Sequence, residues 1–170
     1  GPRRGRGGLL GFLDSGIALE NAAFRNPDGS TRVIGLWDQT DQSGTPPGDM
    51  HYGTAYSGEE IDRMLQEGEQ NLPGEDDNGH GTKVVSIAAG SLLEDLNFIG
   101  AAPETSIAFV KLKPAKASIR RLQQIPLDAV AYEEADMMLA VRYLDMLASE
   151  LEMPLVICLA LGSNSGGHTG

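Results

Sequence analysis

The sequence predicts an α/β protein in which a parallel sheet is covered by helices. Three observations lead to this fold class: strand-like segments alternate with helix-like segments, glycine-rich turns separate them, and the strands are short and apolar. Parallel neighbours require crossover connections, and such connections are almost always right-handed. The strand-like segments lie at residues 9–13, 31–37, 106–112 and 155–161.

The first predicted helix follows a capping box. Ser57 can accept a hydrogen bond from the backbone of Glu60, and Glu60 can return one to Ser57. Gly68 is the expected end of this helix. The stretch before it, residues 38–56, is rich in glycine and proline and is predicted to be an exposed loop.

Two further helices are predicted by apolar periodicity. The first spans residues 80–89 and is closed by Gly90. The second spans residues 131–152 and is ended by Pro154. The apolar positions that define its buried face are Met137, Val141, Leu144, Leu147, Ala148 and Leu151.

The composition of the chain excludes several classes of protein. The 170 residues carry a net charge of −11, which argues against nucleic-acid and anionic-membrane partners, since both require a basic surface. One cysteine excludes an internal disulfide framework. No apolar run approaches the length of a membrane span. Residues 1–8 are a basic, glycine-rich segment predicted to be a flexible tail, and residues 9–170 form the domain.

Two residues are candidates for chemistry at the carboxyl edge of the sheet. Asp14 ends the first strand, and His80 begins a helix between two glycines. Alone, Asp14 fits a turn carboxylate and His80 fits a helix-start histidine without a catalytic task. Together they match the half of a catalytic triad in which a carboxylate orients a histidine base.

The residues around both candidates resemble those of the subtilisin-like serine proteases, the subtilase or peptidase S8 family. Residues 11–17 (GFLDSGI) resemble the aspartate motif, and residues 77–90 (DNGHGTKVVSIAAG) resemble the histidine motif. Residues 100–107 and 159–162 resemble the segments that follow in that family. Residues 34–40, 52–54 and 163–168 are similar to the clostridial branch that includes the Csp germination proteases.

The resemblance implies a three-layer subtilisin-like fold, of which this chain would be an incomplete, N-terminal portion lacking the C-terminal part. It implies a serine endopeptidase with Asp14 as triad acid and His80 as base. Ala160, Leu161 and Gly162 would bind an extended substrate. The catalytic serine and the oxyanion asparagine would lie beyond the end of this sequence, past the strand that comes last in it. A catalytically inactive scaffold of the same fold is the alternative.

The resemblance also bears on ligands, partners and location. No cofactor is required, although structural calcium is compatible with the family; the acidic candidates are Asp38, Asp41, Asp49, Glu75, Asp76 and Asp77. The substrate would be a polypeptide. An open sheet edge at the last strand predicts self-association or a complementary C-terminal segment. A bacterial extracellular or spore location is implied. Lys83 departs from the family pattern, where a second histidine is usual.

Overall fold

The computed structural model describes residues 5, 7–91, 100–116 and 132–159, and these residues form a mostly parallel five-stranded sheet. Its spatial order is β3-β2-β4-β1-β5, and all neighbours are parallel except β2 and β3. The strands are β1 (Leu9–Asp14), β2 (Val33–Asp38), β3 (Thr54–Ser57), β4 (Ser106–Lys111) and β5 (Leu155–Cys158).

Helices cover both faces of the sheet, which gives three layers. They are α1 (Gly58–Gln66), α2 (His80–Ala89) and α3 (Glu134–Glu150), with a short 3-10 helix at Ala22–Phe24. One apolar cluster joins α1 and α2 to one face through Phe12, Leu36 and Phe109. The other joins α3 to the opposite face through Leu13 and Trp37. The predicted fold class is therefore confirmed.

Close packing of α3 on the sheet depends on a glycine in β2. A Cβ atom at Gly35 would lie 2.5 Å from Leu147 Cδ2 and 2.7 Å from the Tyr143 hydroxyl. Tyr143 in turn packs against Trp37, with ring centroids 5.9 Å apart. The absent side chain lets the helix approach until these apolar groups exclude water.

The capping box before α1 is confirmed, but the prediction of one exposed loop over residues 38–56 is wrong. Residues 54–57 form β3, which pairs antiparallel with β2, and Met50 and Thr54 are buried. The strand has four residues and runs directly into the capping residue Ser57. Such a short edge strand has too few residues to produce a detectable alternation.

The third helix is shorter than predicted, and four of the six predicted face residues pack against the core: Met137, Leu144, Leu147 and Ala148. Its buried side chains are Asp136, Ala140, Tyr143, Leu144 and Ala148. Val141 and Leu151, expected on the packed face, are exposed at 38% and 44%. The large Tyr143 ring takes the central position against Trp37 and turns Val141 outward. No helix among the described residues has the length and apolarity needed to cross a bilayer.

Candidate active site

Asp14 lies at the end of β1, between two strands of the sheet. Its backbone oxygen accepts a hydrogen bond from the Leu112 amide at 2.9 Å, which fixes the strand end against β4. Its side chain is 3% exposed, and Oδ1 accepts a hydrogen bond from the Ser15 amide at 2.7 Å. The carboxylate is therefore held in one position in a poorly hydrated place.

His80 is the first residue of α2 and faces that carboxylate. Its Nδ1 atom lies 2.9 Å from Asp14 Oδ1 and 3.0 Å from Oδ2. Since an ionised carboxylate only accepts, the neutral form of the ring carries its proton on Nδ1, and the lone pair is on Nε2. The His80 side chain is 47% exposed, so the ring is accessible from solvent. The structure thus brings the two predicted catalytic residues together in the arrangement of an oriented base.

Two glycines allow this approach of β1 and α2. A Cβ atom at Gly81 would lie 2.0 Å from the Gly16 backbone oxygen. A Cβ atom at Gly16 would lie 2.3 Å from the Glu75 backbone oxygen. Backbone atoms cannot swing aside as a flexible side chain can. Both positions therefore require glycine if His80 is to reach Asp14.

The sequence reasoning missed a polar cluster beside the dyad, formed by Ser15, Asp76 and Asn78. The Ser15 hydroxyl lies 3.0 Å from Asp76 Oδ1 and 2.9 Å from Asn78 Oδ1. Asn78 Oδ1 also accepts a hydrogen bond from the His80 amide at 2.9 Å. The sequence pattern assigns Asp76 only to the acidic calcium candidates. The available signal is Gly79, because a glycine before the helix has no side chain to cap it and the cap must come from another residue.

Three of the other acidic candidates, Asp38, Asp41 and Asp49, make protein contacts through their side chains. Asp38 accepts hydrogen bonds from the amides of Thr40 and Gly74, and Asp41 accepts one from the Tyr56 hydroxyl. Burial together with this contact raises the pKa of Tyr56 to about 12. Asp38, Asp41 and Glu75 line a cavity of 380 Å³; Asp49 instead pairs with Arg142 on the surface.

Metal-ligating side chains do not converge in the part of the chain that the structure describes. Within it, no group of three or more histidine, cysteine, aspartate or glutamate side chains is arranged to hold an ion. These described residues therefore offer no ligand set for the expected calcium ion.

Three of the predicted site residues lie outside the described residues. These are Ala160, Leu161 and Gly162, the expected substrate edge that follows β5. Cys158 in β5 is partly buried, and burial raises the pKa of its thiol. A raised pKa favours the thiol over the nucleophilic thiolate, so Cys158 is a poor candidate for a covalent catalyst.

A comparison with solved structures identifies a protein with a similar fold. The chain is similar to the Clostridium perfringens CspB protease, whose solved structure superposes with a TM-score of 0.73 at 27% sequence identity. The similarity covers 98% of this chain and 31% of that chain, so the present sequence spans about a third of the length of that protease. A search of curated proteins returned no match.

A comparison with protein-family models places nearly the whole sequence in one family. The model of the subtilase family, peptidase S8, matches residues 5–167. The matched range contains both Asp14 and His80, and it agrees with the resemblance carried by the two motifs. The chain therefore belongs to the subtilase family.

Proposed function

We propose that this chain carries the acid and the base of a serine endopeptidase site. The observation that supports the proposal best is the buried Asp14 carboxylate facing Nδ1 of His80 at 2.9 and 3.0 Å. That contact selects the tautomer whose Nε2 is free to accept a proton. The nucleophile is a serine that follows residue 170 in the complete protein, as the family resemblance implies.

In the proposed reaction, Nε2 of His80 removes the hydroxyl proton as the serine oxygen attacks the peptide carbonyl. Asp14 remains ionised and stabilises the imidazolium that forms, and its burial strengthens that interaction. The imidazolium then gives its proton to the leaving amine, and an acyl-enzyme remains. Water hydrolyses the acyl-enzyme with His80 acting again as base, and the serine is regenerated. This chemistry requires no cofactor.

The substrate in this proposal is a polypeptide in extended conformation. Ala160, Leu161 and Gly162 follow β5 and would pair with the substrate backbone as an added strand. Replacing Leu161 by proline removes one backbone donor from that edge. We expect a higher KM for a peptide substrate with a smaller change in kcat; an unchanged KM would count against this edge.

The direct test is labelling by a fluorophosphonate probe, which reacts with serine nucleophiles activated by a base. We expect the protein made from its complete gene to label and the 170-residue chain not to label. His80→Ala should abolish labelling, whereas His51→Ala, a change at an exposed loop histidine, should preserve it. Stoichiometric labelling of the 170-residue chain would overturn the assignment of the nucleophile to another segment.

The alternative function is that of an inactive subtilase-like scaffold that binds or regulates a partner. Among the described residues no serine hydroxyl is hydrogen-bonded to His80, and this holds for the protease and for the scaffold alike. Failure of the complete protein to label would favour the scaffold, provided that the protein is folded.

We also propose that the β5 edge associates with another copy or with a complementary segment. Among the described residues, β5 pairs only with β1, and Val156 and Leu159 are 60% and 66% exposed. An uncovered apolar edge favours strand addition. Size-exclusion chromatography of the 170-residue chain should show species larger than a monomer. A stable monomer across concentrations would contradict self-association.

A further inference from the structure

The amino terminus of α2 has an unusual cap. The residue before the helix, Gly79, has φ of +78° and provides no side-chain hydrogen bond. A helix start leaves its first amides without intrahelical partners, and a capping side chain normally binds one of them. In this protein the acceptors come from the preceding loop. The Asn78 side chain accepts a hydrogen bond from the His80 amide, and the Asp76 side chain accepts from the amides of Gly79 and Thr82.

Asp76 uses both carboxylate oxygens. Oδ2 accepts a hydrogen bond from the Thr82 amide at 2.8 Å, and Oδ1 accepts one from the Gly79 amide at 3.1 Å. A negative charge at this position also complements the positive end of the helix dipole. Asp76 therefore fixes the first turn of the helix from which the His80 ring projects.

The same carboxylate reaches the strand that carries Asp14. Oδ1 of Asp76 lies 3.0 Å from the hydroxyl of Ser15, the residue directly after Asp14. The Ser15 hydroxyl has one proton and two acceptors within reach, Asp76 and Asn78. A charged acceptor makes the stronger hydrogen bond, so the Ser15 hydroxyl donates preferentially to Asp76.

These contacts close a ring around the dyad. The Ser15 amide donates to Asp14, the Ser15 hydroxyl bonds Asp76, and Asp76 bonds the first turn of α2. His80 then completes the ring through Nδ1. A closed ring leaves little freedom for the distance between the imidazole and the carboxylate, and that distance determines whether the base is oriented.

We propose that Asp76 is a positioning residue that sets the His80–Asp14 geometry by tying the start of α2 to the end of β1. Its catalytic meaning rests on the function proposed above, in which His80 is the general base. The neighbouring Asp77 is the natural control, because it is exposed and makes no hydrogen bond or ion pair within the described residues.

The test is proton NMR of the 170-residue chain with ¹⁵N-labelled histidine. A proton held between Nδ1 and a carboxylate gives a far-downfield, slowly exchanging resonance, and its loss in Asp14→Ala assigns it to His80. We expect Asp76→Ala to speed its exchange with water by about tenfold or more, as the loss of a charge-assisted hydrogen bond implies. Asp76→Asn keeps one acceptor oxygen and should be intermediate.

Three further variants separate positioning from general stability. Asp77→Ala should leave the exchange rate unchanged. Val85→Ala makes a cavity in the buried face of α2 and should lower Tm without speeding the exchange. Ser15→Ala removes the hydroxyl contacts to Asp76 and Asn78 but keeps the hydrogen bonds from Asp76 to the start of α2. It should speed the exchange, and it keeps the test available if Asp76→Ala does not fold.

The outcomes distinguish this proposal from the one on which it rests. Unchanged exchange in Asp76→Ala or, where that variant is unfolded, in Ser15→Ala would overturn the positioning role and leave the dyad intact. Equal acceleration in Val85→Ala at the same loss of Tm would also overturn it. Absence of the resonance in the unmodified chain would contradict the dyad geometry itself and with it both proposals.

Discussion

The two ends of α2 are both held by charged side chains, but in opposite surroundings. At the amino end, Asp76 bonds backbone amides beside the half-exposed His80. At the carboxyl end, the Arg32 side chain is enclosed, with the whole residue only 4% exposed. Its guanidinium donates to Ser91 Oγ and to the backbone oxygens of Ala23, Ala89, Ala102 and Thr105.

The contrast separates geometry from stability. Arg32 complements the negative end of the helix dipole and ties α2 to β2 and to the turn before β4. Its burial lowers the pKa of the guanidinium to about 10. The carboxyl end therefore anchors the helix in the core, whereas the amino end aims one ring at one carboxylate. We expect substitutions at the carboxyl end to change the free energy of unfolding. Substitutions at the amino end should change the contact between His80 and Asp14 and, with it, the proposed catalysis.

The largest expected effect on stability is that of Arg32→Ala. The substitution removes the guanidinium donor from the buried carbonyl oxygens of Ala89 and Thr105, whereas those of Ala23 and Ala102 also accept from backbone amides. Each buried carbonyl left without a donor costs about 1–3 kcal/mol, so we expect a loss of about 2–6 kcal/mol. Denaturant unfolding measures it. Arg142→Ala is the matched control, since that arginine pairs with Asp49 at the surface and should change stability by less than about 1 kcal/mol. Equal losses in the two variants would remove the distinction between the ends of α2.

A smaller effect is expected at the amino end from Gly81→Ala. Alanine in place of a helical glycine normally stabilises a helix by up to about 1 kcal/mol. At this position the new Cβ would meet the Gly16 oxygen at 2.0 Å, so we expect a destabilisation of about 1–3 kcal/mol instead. The variant should also lose the slowly exchanging His80 proton. Lys83→Ala, on the exposed side of the same helix, should neither destabilise the protein nor remove the slowly exchanging His80 proton. A gain in stability in Gly81→Ala would contradict the close contact with Gly16.

The smallest change in stability is expected at the carboxyl end of α3, where a residue with a side chain has a positive φ. Glu152 follows that helix with φ of +52°, a conformation that is strained for a residue with a side chain. Glu152→Gly relieves the strain, and we expect a gain of about 0.5–1 kcal/mol. The thermal midpoint measures it, with Glu150→Gly as a control that should destabilise because it lies within the helix. A loss of stability in Glu152→Gly would contradict this account.

The sequence allowed prediction of the features that depend on local pattern. Apolar runs predicted four of the five strands, and the Ser57–Glu60 pair predicted the start of α1. The flanking glycines and the motif resemblance predicted that Asp14 and His80 belong to one site. All of these signals reside in a few consecutive residues.

The remaining features depend on contacts between distant segments. β3 is only four residues long and exists because it pairs with β2. The face of α3 is set by the packing of Tyr143 on Trp37, which moves Val141 to the surface. Asp76 acquires its role from Ser15, which lies 61 positions away in the sequence. Periodicity within a segment carries no information about such partners.

The central claim is that Asp14 orients His80 as a catalytic base, and one measurement tests it most directly. In the protein made from its complete gene, Asp14→Asn preserves the shape of the site but favours the wrong imidazole tautomer. We expect kcat/KM for a peptide substrate to fall about 10⁴-fold. Asp77→Asn should retain the unmodified value. Retention of that value by Asp14→Asn would contradict the account.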